Sequence, residues 1–236
     1  MGHKKNIGLL IIATNKYTQF VSPLIESADK HFFKNHNVTY FVFTNKFDDI
    51  EGRNDIIKID KTHEQWPLIT LGRYKTIHKS ADILSKMDYL FYCDADMLFV
   101  DEVGDEILPD ENSNGLVGTI HPGFFHGNRE LYSYETNPNS TAYISPQEGV
   151  FYYAGGFNGG TTNSFLTMAK TLSERINKDL ENNIIAVWHD ESQMNRYMVD
   201  NPPKSLSSSY CYPENWNIPF ERKLLALDKN HEEVRN

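Results

Sequence analysis

The sequence predicts an α/β protein built on a parallel, doubly wound sheet. Along the first part of the chain, apolar runs of strand length alternate with segments of helical periodicity. Those runs are nearly continuous in apolar residues, as strands covered on both faces require. One of them, Tyr89-Leu90-Phe91-Tyr92-Cys93, stops abruptly at Asp94-Ala95-Asp96. Open α/β sheets bind ligands in the crevice beyond the carboxyl ends of their strands. Side chains two apart in extended backbone leave on the same face, so Asp94 and Asp96 can converge there.

The elements follow in order. A strand over 7–14 opens the chain with Ile7-Gly8-Leu9-Leu10-Ile11-Ile12-Ala13. It is too short to span a membrane and lacks a signal-cleavage pattern before Thr14-Asn15-Lys16. A helix over 20–33 places Phe20, Leu24, Ala28 and Phe32 on one stripe. Strands over 38–44 and 56–59 come next. A helix over 71–87 carries Leu71, Tyr74, Ile77, His78, Ala81 and Leu84 on its apolar side, and the strand 89–93 then delivers the two aspartates.

The second half is less regular. A strand over 115–120 ends at His121-Pro122-Gly123-Phe124-Phe125, and the polar stretch 128–147 is expected to wrap the surface. Tyr152-Tyr153 enters the stretch 154–160, which holds four glycines in seven residues. It reads equally as a tight loop between strand and helix or as a wall pressed against a ligand, because glycine permits close backbone approach. A helix over 162–178 follows, then a second opened by Trp188-His189-Asp190-Glu191 and running to about 199. Asn201-Pro202-Pro203 stops it. The charged tail 229–236 is expected to fray. No composition shift marks a linker, so the 236 residues are expected to form one domain.

Composition narrows the function. Thirty-two acidic residues against twenty-three basic ones give a net charge of −9 without any Lys/Arg cluster, which argues against nucleic acid or an anionic membrane as partner. Aromatic residues reach 13%, a share that suits either a ring-rich core or a cleft that stacks on sugars. Cys93 and Cys211 give neither a disulfide framework nor metal-ligand spacing, and the chain is expected to occupy a reducing compartment.

Several constellations could carry chemistry. Asp94 and Asp96 are hard oxygen donors of the kind that hold Mg²⁺ or Mn²⁺ together with diphosphate oxygens; the plainer alternative is a polar turn. Asp190 and Glu191 at a helix start would be favoured by the dipole and free amides, which capping alone would explain. Capping does not explain the adjacent Trp188 and His189, a ring face and an imidazole that suit a polyhydroxylated substrate. Arg73 and Lys75 could neutralise a diphosphate or merely solvate a helix face. The tail residues Lys229, His231 and Arg235 carry the same ambiguity.

Taken in order, Asp94-Ala95-Asp96, His121-Pro122-Gly123-Phe124, Ser140-Thr141-Ala142-Tyr143-Ile144, Phe151-Tyr152-Tyr153-Ala154-Gly155-Gly156, Trp188-His189-Asp190-Glu191-Ser192 and Val234-Arg235-Asn236 resemble one family. It is the family 6 retaining glycosyltransferases, which includes the histo-blood-group A and B transferases and the α-1,3-galactosyltransferases. The likeness runs from about residue 7 to the end. It implies a Rossmann-like nucleotide-binding sheet of glycosyltransferase-A type, with a donor half near 1–100, an acceptor and catalytic half near 101–228, and a closing tail over 229–236.

Residue by residue, the resemblance implies the following roles. Asp94 and Asp96 hold Mn²⁺ or Mg²⁺ against the diphosphate of a UDP-sugar. Ile12, Ala13 and Tyr17 cradle uridine, and Arg73 lies against the donor. Ala154, Gly155 and Gly156 form the wall that sorts donors by the substituent at sugar C2. Asp190 grips the donor sugar, and Glu191 stands at the reacting centre. His121, Trp188, His189 and Glu191 face the acceptor. Lys229, His231 and Arg235 fold over the diphosphate.

Small residues at 154–156 match the N-acetylgalactosamine users, so the resemblance implies α-1,3 transfer from UDP-GalNAc to a terminal β-galactoside, with UDP-Gal as the alternative donor. A covalent glycosyl-enzyme and a same-face reaction both remain open, as do a glycan-binding protein and a UDP-sugar hydrolase. Ser133-Tyr134-Glu135-Thr136-Asn137 stands where the family has Thr-Tyr-Glu-Arg-Arg, and Tyr212-Pro213-Glu214 replaces a Trp-Asp pair, which leaves the acceptor open. The family's membrane stem has no counterpart here, so a soluble, cytoplasmic relative of bacterial or phage type is expected.

Overall fold

Apolar strands buried on both faces do organise the fold. The structure is a computed structural model that describes residues 3–230. Its elements are, in chain order, β1 (Asn6–Ile12), α1 (Val21–His31), β2 (Asn37–Thr44), β3 (Ile56–Asp60), α2 (Leu68–Leu71), α3 (Arg73–Lys79), α4 (Ala81–Leu84), β4 (Tyr89–Cys93), β5 (Met97–Phe99), β6 (Leu116–Ile120), β7 (Tyr153–Thr161), α5 (Thr162–Glu181), α6 (His189–Asp200), β8 (Lys204–Leu206), β9 (Tyr212–Pro213) and β10 (Leu224–Ala226).

Among the described residues one sheet has the order β3-β2-β1-β4-β7-β6-β8. Strands β1, β2, β3 and β4 are mutually parallel, as β6 and β8 are, but β7 runs antiparallel to both of its neighbours. The sheet is therefore mixed where a parallel one was expected. Alternation divides the side chains. Leu9, Ile11, Tyr40, Val42, Phe91 and Cys93 pack with Leu24 and Ala28 of α1. Leu10, Phe41, Phe43, Leu90 and Tyr92 pack with Tyr74, Ile77, Phe165 and Met194 on the other face. Each such large apolar side chain contributes roughly 1.5–3 kcal/mol on burial.

The glycine-rich stretch is neither loop nor turn; it is β7, wedged beside β4. Glycine is a poor strand former, and packing overrides that preference here. A Cβ on Gly159 would lie 2.4 Å from the Phe91 ring, so the missing side chain is the space that Phe91 fills while it stacks on Phe157 at 5.8 Å. In place of one helix over 71–87 stand three short pieces, α2, α3 and α4, which begin at Leu68, end at Leu84 and are broken at Gly72 and Ser80. Glycine costs helix stability, and serine offers the backbone competing hydrogen bonds. The apolar positions Leu71, Tyr74, Ile77 and Leu84 are buried nonetheless.

The polar stretch 128–147 does more than wrap the surface. It sends Tyr132, Tyr134 and Ile144 into a third apolar cluster around Tyr152. Its buried Glu135 accepts the Val187 N–H at 2.7 Å, which ties it to the chain just before α6. Helix α6 stops at Asp200, before the two prolines, as expected. Among the described residues no helix is long and apolar enough to cross a membrane.

Candidate active site

A cavity of about 380 Å³ opens at the carboxyl ends of β1 and β4. Ile12 ends β1 and Tyr17 follows it; Asp94 and Asp96 follow β4; Gly155 and Gly156 belong to β7; all line this cavity. Trp188, His189, Asp190 and Glu191 from the start of α6, Arg73 from α3 and Lys229 from the tail complete the expected residues that face it. Ala13 and Ala154 are instead buried beside it and do not line it. His121 also stands outside the lining, and His231 and Arg235 fall outside the described residues.

A bulge in β7 builds one wall of the cavity. Gly118 of β6 faces Asn158 of β7, yet the next residue, Thr119, faces Ala154. Gly155, Gly156 and Phe157 are therefore squeezed out of the β6 ladder, as in a bulge that re-aims backbone groups. The Asp94 N–H still donates to the Gly156 carbonyl at 2.9 Å, which holds the bulge against β4. Freed from its ladder, the Gly155 N–H donates to Glu191 Oε2 at 2.7 Å. The Gly155 carbonyl accepts from Arg73 Nη1 at 2.7 Å and from Asn158 Nδ2 at 3.1 Å.

The absence of side chains is what makes this possible. A Cβ on Gly155 would approach Glu191 Oε2 to 3.3 Å, and one on Gly156 would approach Asp94 Oδ2 to 3.3 Å. The fully buried Asn195 fastens α6 to the same strand. Its Oδ1 accepts the Tyr153 N–H at 2.8 Å, and its Nδ2 donates to the carbonyls of Tyr153 and Glu191, each at 2.9 Å.

Charges in the wall are paired. Arg73 Nε meets Asp190 Oδ2 at 2.9 Å, and its Nη2 lies 3.5 Å from Asp94 Oδ1. The guanidinium also stacks on Tyr92, 4.3 Å from the ring centroid, and the Tyr92 hydroxyl donates to Asp94 Oδ1 at 2.7 Å. Burial pushes the Asp190 carboxyl up to about 6, against the pull of Arg73. Burial likewise pushes Glu191 up to about 7, and the hydrogen bonds from Gly155 N–H and Tyr152 hydroxyl work the other way. His189, just before this pair, has φ +54°, a conformation that residues other than glycine rarely adopt and that strained functional turns retain.

Asp94 and Asp96 both present carboxylates to the cavity, a hard-oxygen donor set that fits Mn²⁺ or Mg²⁺ if other oxygens complete the shell. Among the described residues no group of three or more His, Cys, Asp or Glu is arranged to hold a metal ion by itself. Lys229 reaches in from the tail, pairs with Asp96 and lies 5.3 Å from the Tyr17 ring centroid. Leu227 N–H, two residues earlier, donates to the Asp96 carbonyl at 3.0 Å and anchors that approach.

Some lining residues escape the sequence reading. Thr14, His63 and Trp66 line the cavity; the Thr14 hydroxyl meets His63 Nδ1 at 2.9 Å, and Trp66 lies edge-on to His189 at 5.1 Å. They lie on chain that follows β1 and β3 and carries no periodicity, and the only available signal was a Trp beside a Pro in a polar stretch. Lys75, read with Arg73 as one cationic pair, sits on the opposite side of α3 and lines a different groove. His121 packs edge-on against Tyr152 at 5.7 Å, and burial lowers its imidazole to about 4, so it is neutral at ordinary pH. Its Nδ1 accepts the Gly123 N–H at 3.0 Å, which places the proton on Nε2.

Strand-terminal carboxylates, a bulged glycine wall and a buried acid pair at a helix start thus meet in one cavity of a mixed α/β sheet. The profile of glycosyltransferase family 6 matches residues 2–236. The chain is 37% identical to histo-blood group ABO system transferase 1 of Rattus norvegicus, over 98% of this chain and 68% of that protein. It is 36% identical to globoside alpha-1,3-N-acetylgalactosaminyltransferase 1 of Gallus gallus, over 98% of this chain and 69% of that one. It is 31% identical to the O-antigen biosynthesis glycosyltransferase WbnI of Escherichia coli, over 96% of each chain. The chain belongs to glycosyltransferase family 6 and is a hexosyltransferase.

Proposed function

We propose that this enzyme transfers N-acetylgalactosamine from UDP-GalNAc in α-1,3 linkage to a terminal β-galactoside, with retention and with a divalent metal ion. The observation that carries the donor choice is the Gly155–Gly156 wall, where no side chain stands between the backbone and the carboxylates of Asp94 and Glu191. On this reading, a wall without side chains facing the cavity is the kind that an acetamido group at sugar C2 would need. The acceptor class rests on the names of the relatives and on the resemblance's reading of His121, whose neutral ring would carry its proton on Nε2.

Each residue has a task that its surroundings support. Asp94 and Asp96 would hold the divalent ion, whose chemistry is to stabilise charge on the departing diphosphate. Arg73 favours the ionised form of Asp190, and Asp190 would accept hydrogen bonds from donor-sugar hydroxyls. Glu191 offers a carboxylate to the anomeric centre, as nucleophile or as electrostatic partner of an oxocarbenium-like state. A nucleoside diphosphate leaves without a proton donor, so one carboxylate suffices. Lys229 adds positive charge at the aspartates, and closure around the donor would exclude competing water.

The test is transfer to lactose or 2′-fucosyllactose in Mn²⁺, with UDP-GalNAc or UDP-Gal, and with the product linkage read by NMR. The expected result is an α-linked product, a higher kcat/KM for UDP-GalNAc, and loss of activity in EDTA. A higher kcat/KM for UDP-Gal would overturn the donor, and a full rate in EDTA would remove the metal. Gly156→His should exclude the acetamido group; retained GalNAc transfer by that variant would misplace the pocket.

A further inference from the structure

Tyr152 is buried to 1% exposure, and its hydroxyl donates to Glu191 Oε1 at 2.7 Å. The Gly155 N–H occupies the other oxygen at 2.7 Å, so each oxygen of Glu191 has one fixed donor. The phenol ring is clamped by Phe124 at 4.9 Å, Tyr134 at 5.3 Å and His121 at 5.7 Å. Its two tyrosine neighbours direct their hydroxyls elsewhere: Tyr134 donates to the Phe151 carbonyl at 2.6 Å and Tyr132 to the Val150 carbonyl at 3.0 Å. Within this aromatic cluster, only the Tyr152 hydroxyl meets a carboxylate.

Packing alone would be served as well by phenylalanine, since every ring contact survives loss of the hydroxyl. The oxygen is there for Glu191. We infer that Tyr152 is a positioning residue of the transfer reaction, whose hydroxyl fixes the orientation of the Glu191 carboxylate and favours its ionised form. This rests on the reading of Glu191 as the acid at the reacting centre. A hydrogen bond to the charged form stabilises that form, and burial pushes Glu191 the other way, up to about 7. The same residue joins the acceptor side: the His121 N–H donates to the Tyr152 carbonyl at 2.8 Å. One rigid aromatic residue thus links His121 to the reacting acid.

The charged and titratable groups that face Glu191 are Tyr152, the adjacent Asp190, Arg73 of α3 and the Cys211 thiol. Tyr152→Phe leaves the last three in place, so a changed pH profile reports the lost hydroxyl. The experiment compares wild type, Tyr152→Phe and Glu191→Gln in the UDP-GalNAc transfer assay across pH, with Tm as control. Tyr152→Phe should lower kcat roughly 10- to 100-fold, the worth of one hydrogen bond to a charged group, with donor KM nearly unchanged. Its acid limb should move to higher pH, because the carboxylate has lost a donor that held it ionised.

An unmoved limb with an unchanged kcat would overturn the inference. So would a lowered kcat accompanied by a lowered Tm and an unmoved limb, which would mean a packing role alone. A full rate from Glu191→Gln would instead overturn the reading of Glu191, and the positioning role with it.

Discussion

Strands β1 to β4 and strand β7 share one sheet, yet they bring chemistry to the cavity in opposite ways. The parallel strands are full of large side chains, and they present residues just past their ends: Ile12 at the close of β1, Asp94 and Asp96 after β4. Strand β7 runs the other way, gives up side chains, and presents its own backbone through the bulge at Gly155. The first region positions groups by regular geometry. The second positions them by breaking that geometry, so that an N–H and a carbonyl become free to hold Glu191 and Arg73. The transfer reaction proposed above would use both: a stable platform for a nucleotide, and a close wall with little steric bulk beside the transferred sugar.

This contrast predicts different failures. Arg73→Ala should have the largest effect, because it strips Asp190 of its cation in a site where that carboxylate has 2% side-chain exposure, so that it must bear an unpaired charge or take up a proton. Removing one partner of such a buried pair costs about 3–5 kcal/mol, measurable as a lowered denaturant midpoint. Retained stability would mean that Asp190 takes up a proton instead, because burial already holds its carboxyl near 6 against the pull of Arg73 and would raise it further without that cation.

A pair of glycine substitutions separates the two regions more finely. In β1, a Cβ on Gly8 would lie 2.7 Å from Leu90 Cδ2 and 3.1 Å from both Met87 and Phe41. Gly8→Ala should therefore cost about 1–3 kcal/mol of stability by overpacking, and leave kcat intact. In β7, a Cβ on Gly155 meets Glu191 Oε2 at 3.3 Å and Arg73 Nη1 at 3.4 Å. Gly155→Ala should lower kcat roughly 10-fold through misplacement of the acid, with a smaller change in Tm. If Gly8→Ala reduced kcat and Gly155→Ala only Tm, the division between platform and wall would be wrong.

The same division explains what could be read from the sequence. Residues positioned by regular structure were legible, because alternation and strand ends are written in local pattern: Asp94, Asp96 and the stripe Leu24–Ala28 lie where periodicity puts them. The helix start at Trp188–Glu191 was legible for the same reason. The β7 strand was not, since four glycines carry no strand signal and its place is decided by Phe91 of β4, which fills the space beside Gly159 and stacks on the strand's own Phe157. The breaks at Gly72 and Ser80 were hidden beneath an apolar stripe that all three short helices share. His63, Trp66, Tyr152 and Asn195 act through contacts far along the chain, which spacing does not encode. The family likeness supplied roles for Arg73 and Glu191 that composition and periodicity alone did not.

The central claim is that this cavity moves a sugar to an acceptor. The direct measurement is the rate of UDP release by purified protein in Mn²⁺ with UDP-GalNAc, with and without 2′-fucosyllactose. Release that accelerates with acceptor, together with an α-linked product, is the predicted result. Release at the same rate without acceptor would describe a hydrolase, and no release despite UDP binding would describe a binding protein; either would contradict the account.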